Sequence, residues 1–341
     1  MHEADLLTAG YDYNLPNELI AKEPANPPDS ARLLIYDRSK DTIIHSTFSH
    51  LLDFIPQETA IFLNNTKVIK ARIFGRKSSG GKVELLLNKP LGDDRFMAMI
   101  RGKVSLGSEL FFDNNLQATV QELLDDGSRI VTFKRKGKKL NFEELTLILE
   151  TIGHVPLPPY IDREDTKEDT INYQSLFAKN EGAVAAPTAS LHFTPQLLDD
   201  LQREFETYEL TLHVGAGTFK PIEADNIMEH IMHSEYFHIP SKSLKALDSN
   251  KKILAIGTTV TRTIEYYHRT QRSEGECDLF LHPNNPPQRV DHLLTNFHLP
   301  KSTLLMLISS FLGRDKALQI YNEAIKEKYK FFSYGDGMLI L

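Results

Sequence analysis

Histidine, threonine, asparagine and glycine gather in this chain where short apolar runs stop. Tyr208 to Val214 runs into Gly215-Ala216-Gly217-Thr218, and Lys252 to Ile256 runs into Gly257-Thr258-Thr259. Val290 to Leu294 runs into Thr295-Asn296-Phe297-His298, and Ile61-Phe62-Leu63 ends in Asn64-Asn65-Thr66. A further loop, Gly182 to Thr194, carries Thr188 and His192. Imidazoles exchange protons near neutral pH, while hydroxyls, amides and glycine backbone orient a ligand. Polar loops at the ends of buried strands predict the rim of one pocket, with about half of these side chains facing it. The pattern is that of an enzyme.

Individual motifs are more equivocal. Gly257-Thr258-Thr259-Val260-Thr261-Arg262 places hydroxyls at a helix start, where free amides attract a carboxylate or phosphate. An ordinary threonine cap with an exposed Arg262 reads equally well. His213-Val214-Gly215-Ala216-Gly217-Thr218-Phe219 has a G-x-G step without the third glycine or the immediate helix of a dinucleotide site. His230-Ile231-Met232-His233-Ser234-Glu235 lacks the spacing of a zinc-protease helix and has no cysteine nearby, so acid–base or hydrogen-bonding work is expected there before metal binding. A structural histidine pair remains open. Tyr334-Gly335-Asp336-Gly337 sets a phenol and an acid in one tight turn.

These loops need a scaffold of alternating strands and helices. Thr194 with Pro195 opens one predicted helix, Thr259 to His268 forms another, and Ser302 to Leu312 stops at Gly313. The expected fold is α/β, residues 1–63 and 151–341, interrupted by a small β-barrel at 64–150. In the insertion, Val83–Leu87, Phe96–Ile100 and Arg129–Phe133 each follow a Gly- or Asp-containing turn. The proline-rich Gly153-His154-Val155-Pro156-Leu157-Pro158-Pro159-Tyr160 marks the return.

The 341 residues carry a net charge of −7, which argues against a general nucleic-acid binder. The distribution differs: residues 64–140 hold 16 Lys+Arg against 8 Asp+Glu, or +8, leaving −15 on the remainder. A basic module on an acidic body suits a phosphate backbone, and Arg72, Arg76, Lys77, Lys134, Lys136 and Lys138 are its candidate contacts. A solvated, lysine-rich barrel edge is the alternative. One cysteine, Cys277, excludes an internal disulfide framework. With no apolar leader and no bilayer-length apolar stretch, a cytoplasmic protein without membrane contact is expected.

Taken together and in order, the segments resemble the S-adenosylmethionine:tRNA ribosyltransferase-isomerase family of queuosine biosynthesis. The resemblance rests on Leu15–Ala21, Asn64–Ile69, Gly81–Glu84, Gly153–Ile161, Ala185–Thr194, His213–Phe219, His230–Glu235, Gly257–Thr259, Leu294–Thr303 and Phe331–Asp336. Ser190 stands where the family usually has glycine, Ala216 where leucine is usual, and Gly337 where alanine is usual. Asn284-Asn285-Pro286-Pro287 replaces a Pro-Gly-aromatic turn.

The resemblance implies an α/β domain with an inserted β-barrel. It also implies a reaction in which the ribosyl unit of S-adenosylmethionine is joined to 7-aminomethyl-7-deazaguanine at the wobble position of a tRNA with a GUN-type anticodon. Adenine and methionine leave and epoxyqueuosine forms, with S-adenosylmethionine as co-substrate and neither metal nor cofactor expected. The sulfonium acidifies the neighbouring ribose carbon, so His192, His213 and His233 become candidate bases. Glu235 or Asp336 would take the proton of the incoming amine. Asn64, Asn65, Thr188, Thr218, Thr258, Thr259, Arg262, Asn296, His298 and Tyr334 become candidate substrate contacts. A monomer is expected. A methyltransferase would instead show a glycine-rich loop after its first strand, and a passive RNA binder would leave the polar loops without a task.

Overall fold

The computed structural model describes residues 3–219, 222 and 224–341. The strands before and within the barrel are β1 (Arg32–Asp37), β2 (Thr42–Thr47), β3 (Ala60–Asn64), β4 (Thr66–Val68), β5 (Arg72–Lys77), β6 (Lys82–Gly92), β7 (Arg95–Arg101), β8 (Glu109–Phe112), β9 (Leu116–Leu123), β10 (Arg129–Arg135) and β11 (Lys138–Lys139). After it come β12 (Asn180–Ala183), β13 (Thr207–Leu212), β14 (Glu235–His238), β15 (Ile253–Ile256), β16 (Glu274–Cys277), β17 (His292–Asn296) and β18 (Gly337–Ile340). The helices are α1 (Phe142–Ile152), α2 (Asp169–Asn172), α3 (Pro195–Glu204), α4 (Ser241–Leu247), α5 (Thr258–Thr270), α6 (Thr303–Leu312) and α7 (Arg314–Lys326).

Nine strands form the main sheet in the order β16-β14-β13-β3-β15-β17-β18-β1-β2. The central four, β13, β3, β15 and β17, are mutually parallel, so their C-terminal ends share one edge. The chain passes from β3 to β13 on one side and crosses back to β15 on the other. This reversal leaves a crevice at the end of β3, where open α/β sheets hold ligands. β18 runs antiparallel to β17, with Gly337 opposite Asn296, so its first residues join the same edge.

Strand alternation divides the core. Phe62, Ala255 and Leu293 face α5, α6 and α7, whereas Ile61, Leu63, Leu254 and Ile256 face α3 and the Phe48–Leu51 turn. Both faces are covered, which is why these strands read as continuous apolar runs. Thr194 caps α3 by accepting from the Leu197 amide, and Ser302 caps α6 through Leu305.

The inserted module closes: β10-β7-β6-β5-β8-β9 are neighbours in turn and β9 pairs back to β10. Its interior is apolar, lined by Leu85, Leu87, Phe96, Ala98, Val131 and Phe133. Leu145, Ile148 and Leu149 of α1 pack on this cluster. The helix starts with a reciprocal Asn141–Glu144 capping box. β4 pairs with β12 outside the barrel, joining the barrel's entry segment to the 180–183 strand. Among the described residues, no helix is long and apolar enough to cross a membrane.

Candidate active site

Two cavities open at the polar edge, where the sequence suggested one pocket. The first measures about 520 Å³ and is lined by Thr188, Thr218, Gly257–Thr259, Asn296, His298 and the aromatic residues Tyr160, Tyr173 and Phe332. The second measures about 490 Å³ and lies between the main domain and the barrel. His213, His233 and Glu235 line it from one side, and Asn88, Met97, Met99 and Phe142 from the other. Both volumes suit a small organic ligand.

The loop after β13 is the wall between them. Val214 and Thr218 line the first cavity, while His213, Gly215 and Gly217 line the second. It is held from both domains. The Ala216 amide donates to Asn88 Oδ1 of the barrel at 2.8 Å, and the Gly215 amide donates to Glu235 Oε1 at 2.9 Å. A Cβ at Gly217 would lie 2.6 Å from the His233 ring, so glycine is required for the wall to be this thin.

In the first cavity, Gly257 takes φ +99° and turns the chain from β15 into α5. Thr258 and Thr259 then start the helix, where the amides and dipole favour an anion. Asn64 braces this corner. Its Oδ1 accepts from the Leu212 and Thr66 amides at 3.1 Å, and its Nδ2 donates to the Leu212 carbonyl at 3.0 Å and to Thr259 Oγ1 at 3.2 Å. Thr188 Oγ1 donates to Asn296 Oδ1 at 2.8 Å, fixing the Asn296 amide so that Nδ2 meets His192 Nε2 at 3.1 Å. His298 Nε2 meets Thr295 Oγ1 at 2.8 Å, and burial pushes this imidazole down to about 3.

His192 lines neither cavity. It is stacked on Phe48 with ring centres 4.2 Å apart and is lowered to about 4 by burial. The Pro28 backbone beside the ring offsets part of that lowering. His192 therefore positions Asn296 as a neutral ring, and the expectation that it acts as a base is corrected. Asp336 is likewise committed: Oδ1 accepts from the Arg32 amide at 2.7 Å and Oδ2 from the Lys330 amide at 2.6 Å, closing a turn away from both cavities. Burial raises its carboxyl despite those amides.

Glu235 lines the second cavity but is pinned. Burial alone would raise its carboxyl, yet the Arg262 guanidinium at 2.5 Å prevails and, with His233 and the Gly215 amide, holds it down to about 2. Arg262 is buried, not exposed; it also donates to the Leu279 and Cys277 carbonyls. It is a scaffold for Glu235 and lines neither cavity. His213 Nδ1 meets Thr66 Oγ1 at 2.8 Å, and burial lowers the ring to about 4. Among the described residues, His233 Nε2 has no partner in hydrogen-bond geometry and sits 3.5 Å from Glu235 Oε1. Of the three candidate bases, His213 and His233 line the second cavity.

Two further expected contacts are structural. Asn65 Oδ1 accepts from Asn180 and Thr211, and its Nδ2 donates to Glu209. Tyr334 donates to Asp169 Oδ1 at 3.0 Å, beside the Arg163–Asp169 ion pair. Sequence reasoning passed over Tyr160 and Tyr173. The only signal was the proline-rich Gly153–Tyr160 stretch. Of the family departures, Ser190 bonds the Pro187 carbonyl within its own turn. Asn285 and Pro286 hold the Phe280 and Arg269 region outside both cavities.

The basic side chains form separate groups. Arg76 is exposed at the β5–β6 hairpin, where Lys77 donates to the Lys103 carbonyl. Lys136 and Lys138 are exposed at the β10–β11 turn, Lys138 paired with Glu144 and Lys134 with Glu109. Arg72 instead ties Glu84 to the Leu157 carbonyl at the domain junction.

Residues 8–340 match the model of the family described as queuosine biosynthesis protein. A relative from Nitratiruptor sp., called S-adenosylmethionine:tRNA ribosyltransferase-isomerase, is 63% identical over 331 residues, 97% of each chain. A relative of the same name from Aliarcobacter butzleri is 63% identical and covers 98% of this chain and 99% of its own. The crystal structure of an S-adenosylmethionine tRNA ribosyltransferase from Thermotoga maritima superposes with a TM-score of 0.54 at 33% identity, covering 97% of this chain and 99% of that one. With a matching family model across nearly its whole length and relatives this similar, the chain belongs to the queuosine biosynthesis protein family and is an enzyme of that family.

Proposed function

We propose that the chain transfers and isomerises the ribosyl group of S-adenosylmethionine onto 7-aminomethyl-7-deazaguanine at the wobble position of tRNA, giving epoxyqueuosine with release of adenine and methionine. The observation that carries this reading is the pair of cavities, each of a size for a small organic ligand, that meet at one thin loop. S-adenosylmethionine takes the first cavity. The amides and hydroxyls of Thr258 and Thr259 meet its carboxylate, and Thr188, Thr218, Asn296 and His298 supply polar contacts. The modified base takes the second cavity, entered from the basic barrel. Its carboxylates, among them Glu181 and Glu276, suit an aminomethyl cation on an otherwise anionic RNA.

The amine must lose a proton to attack. His233 accepts it, and the Glu235 carboxylate beside the ring stabilises the imidazolium. Asn64 and His192 position the contacts in front of them. The tRNA with a GUN-type anticodon is gripped by Arg76, Lys77, Lys134, Lys136 and Lys138 of the barrel, with the enzyme acting as a monomer in the cytoplasm.

Incubation with S-adenosylmethionine and tRNA bearing the aminomethyl base, followed by mass spectrometry, tests the reading. Adenine, methionine and an epoxycyclopentane-modified wobble base are expected. S-adenosylhomocysteine in their place would make the chain a methyltransferase.

A further inference from the structure

The outer face of the barrel continues the wall of the second cavity. Met97, Met99 and Arg101 alternate outward along β7, and both methionines line that cavity. Strand register carries the face sideways. Arg72 of β5, Leu86 of β6 and Met99 of β7 lie in one row, and Phe74, Glu84 and Arg101 in the next. Arg76 and Lys82 form a third row toward the β5–β6 hairpin. Residues paired across an antiparallel ladder project to the same side, so the cavity wall runs into a strip with an aromatic ring in it.

This strip is exposed. Phe74 is 51% accessible although its ring packs against His154, centres 5.1 Å apart and steeply inclined. His154 is held in turn by Asp165 at 2.9 Å, so the Phe74 ring is steadied without being covered. Arg76, Lys82 and Arg101 are exposed around it. Glu84, the one carboxylate in the three rows, lies 3.3 Å from Arg72 and 3.6 Å from Arg101. Arg76 and Lys82 stand directly opposite each other, where like charges destabilise a sheet. An anion lying over the pair removes that penalty.

We propose, on the reading that the second cavity takes the wobble base, that this strip receives the loop nucleotides beside it. One neighbouring base stacks on Phe74, and Arg76, Lys82 and Arg101 take the phosphates around it. Phe74 lies two strands over and two residues along from Met99, roughly 12 Å by strand spacing and rise. A protruding ring meets an unpaired base and not one inside a duplex, so the partner is a single-stranded RNA segment. Stacking accepts any base and cations follow the backbone, so the strip holds the loop without reading its sequence.

The test measures kcat and KM of wild type, Phe74→Ala, Phe74→Tyr and Arg101→Ala with an anticodon stem-loop bearing the aminomethyl base. F74A should raise KM for this RNA about tenfold, within the range that base–aromatic stacking contributes, and leave KM for S-adenosylmethionine unchanged. F74Y should restore it. Arg101→Ala should lower the slope of log affinity against log salt by about one, whereas F74A leaves that slope as it is. An abasic residue beside the wobble position, placed on the 5′ and the 3′ side in turn, should cost wild type the same factor on one side and cost F74A nothing there.

An unchanged RNA KM in F74A would overturn the proposal. So would a loss that Tyr does not repair, or one that raises KM for S-adenosylmethionine equally, since either marks a structural role for the ring. Wild type indifferent to both abasic positions would overturn it as well. Wild type that binds the stem-loop equally well with and without the aminomethyl base, and releases no adenine, would instead remove the reading of the second cavity and the proposal with it.

Discussion

The two cavities are built on opposite electrostatic plans. The first is walled by hydroxyls, an amide, aromatic rings and a neutral imidazole, and among the described residues its one formally charged lining residue, Lys301, pairs with Asp12 at the rim. Among the described residues the second is lined by Asp126, Glu181, Glu235 and Glu276 with Lys89 as the single lysine, and Glu235 is backed by the buried Arg262. A site of neutral groups selects by shape and hydrogen-bond geometry. A site over a buried ion pair selects by charge, and its stability depends on keeping both partners.

Acid should have the largest effect, because neutral imidazoles stand behind or in both cavities. His192, His298 and His213 are held neutral, with values lowered to between about 3 and 4. The unfolded chain binds more protons than the folded one below their ordinary value of 6.5, so their contribution is full above it and is lost as pH falls toward 4. Glu235, depressed to about 2, keeps its contribution until pH falls below its ordinary 4.5. Urea midpoints should therefore fall steeply from pH 7 to pH 4. A flat profile would mean the rings are not held neutral.

Removing one ion partner comes next. Glu235→Ala leaves Arg262 buried without its carboxylate and should cost about 3–5 kcal/mol in denaturant unfolding. A double Thr258→Val, Thr259→Val variant should unfold near the wild-type midpoint. Equal losses from both would erase the contrast. The threonine variant should instead raise KM for S-adenosylmethionine several-fold with little change for tRNA.

His233→Ala should slow turnover at least tenfold, the low end of the roughly 10²–10⁴ expected of acid–base catalysis, with its pH–rate profile altered. His192→Ala should act through KM by releasing Asn296. The same kinetic signature in both would put them in one role after all. The smallest effect concerns the barrel surface. Reversing Lys136 and Lys138 to Glu should weaken tRNA binding and flatten its salt dependence while S-adenosylmethionine affinity stays as before. Unchanged tRNA affinity would return that turn to ordinary solvated surface.

Most of the scaffold was legible because local rules and global fold agree. The runs ending at His213, Gly257 and Asn296 are buried parallel strands, whose apolar continuity and glycine or hydroxyl stops are visible in one dimension. The Thr194 and Ser302 caps and the Gly313 stop are equally local. What stayed hidden depends on partners far along the chain. Asp336 looked available until the Arg32 amide reached one oxygen, and Arg262 looked exposed until β14 brought Glu235 against it. Tyr173 sits in a segment without periodicity, so its place in the wall of the first cavity could not be read from spacing. The division into two cavities was illegible for the same reason. It needs Asn88, on a barrel strand, to grasp the loop after β13.

That grasp makes the wall a shared boundary condition. A displacement of Asn88 would also move Ala216, and with it Val214 and Thr218 on the far side. Ligands on the two sides of the wall would then be coupled, and equilibrium linkage requires the two factors to be equal. Glu235 opposes any such displacement through Gly215. The loop is thereby a spring anchored at two points, with the stiffer end set by the buried ion pair and the softer end by one amide hydrogen bond.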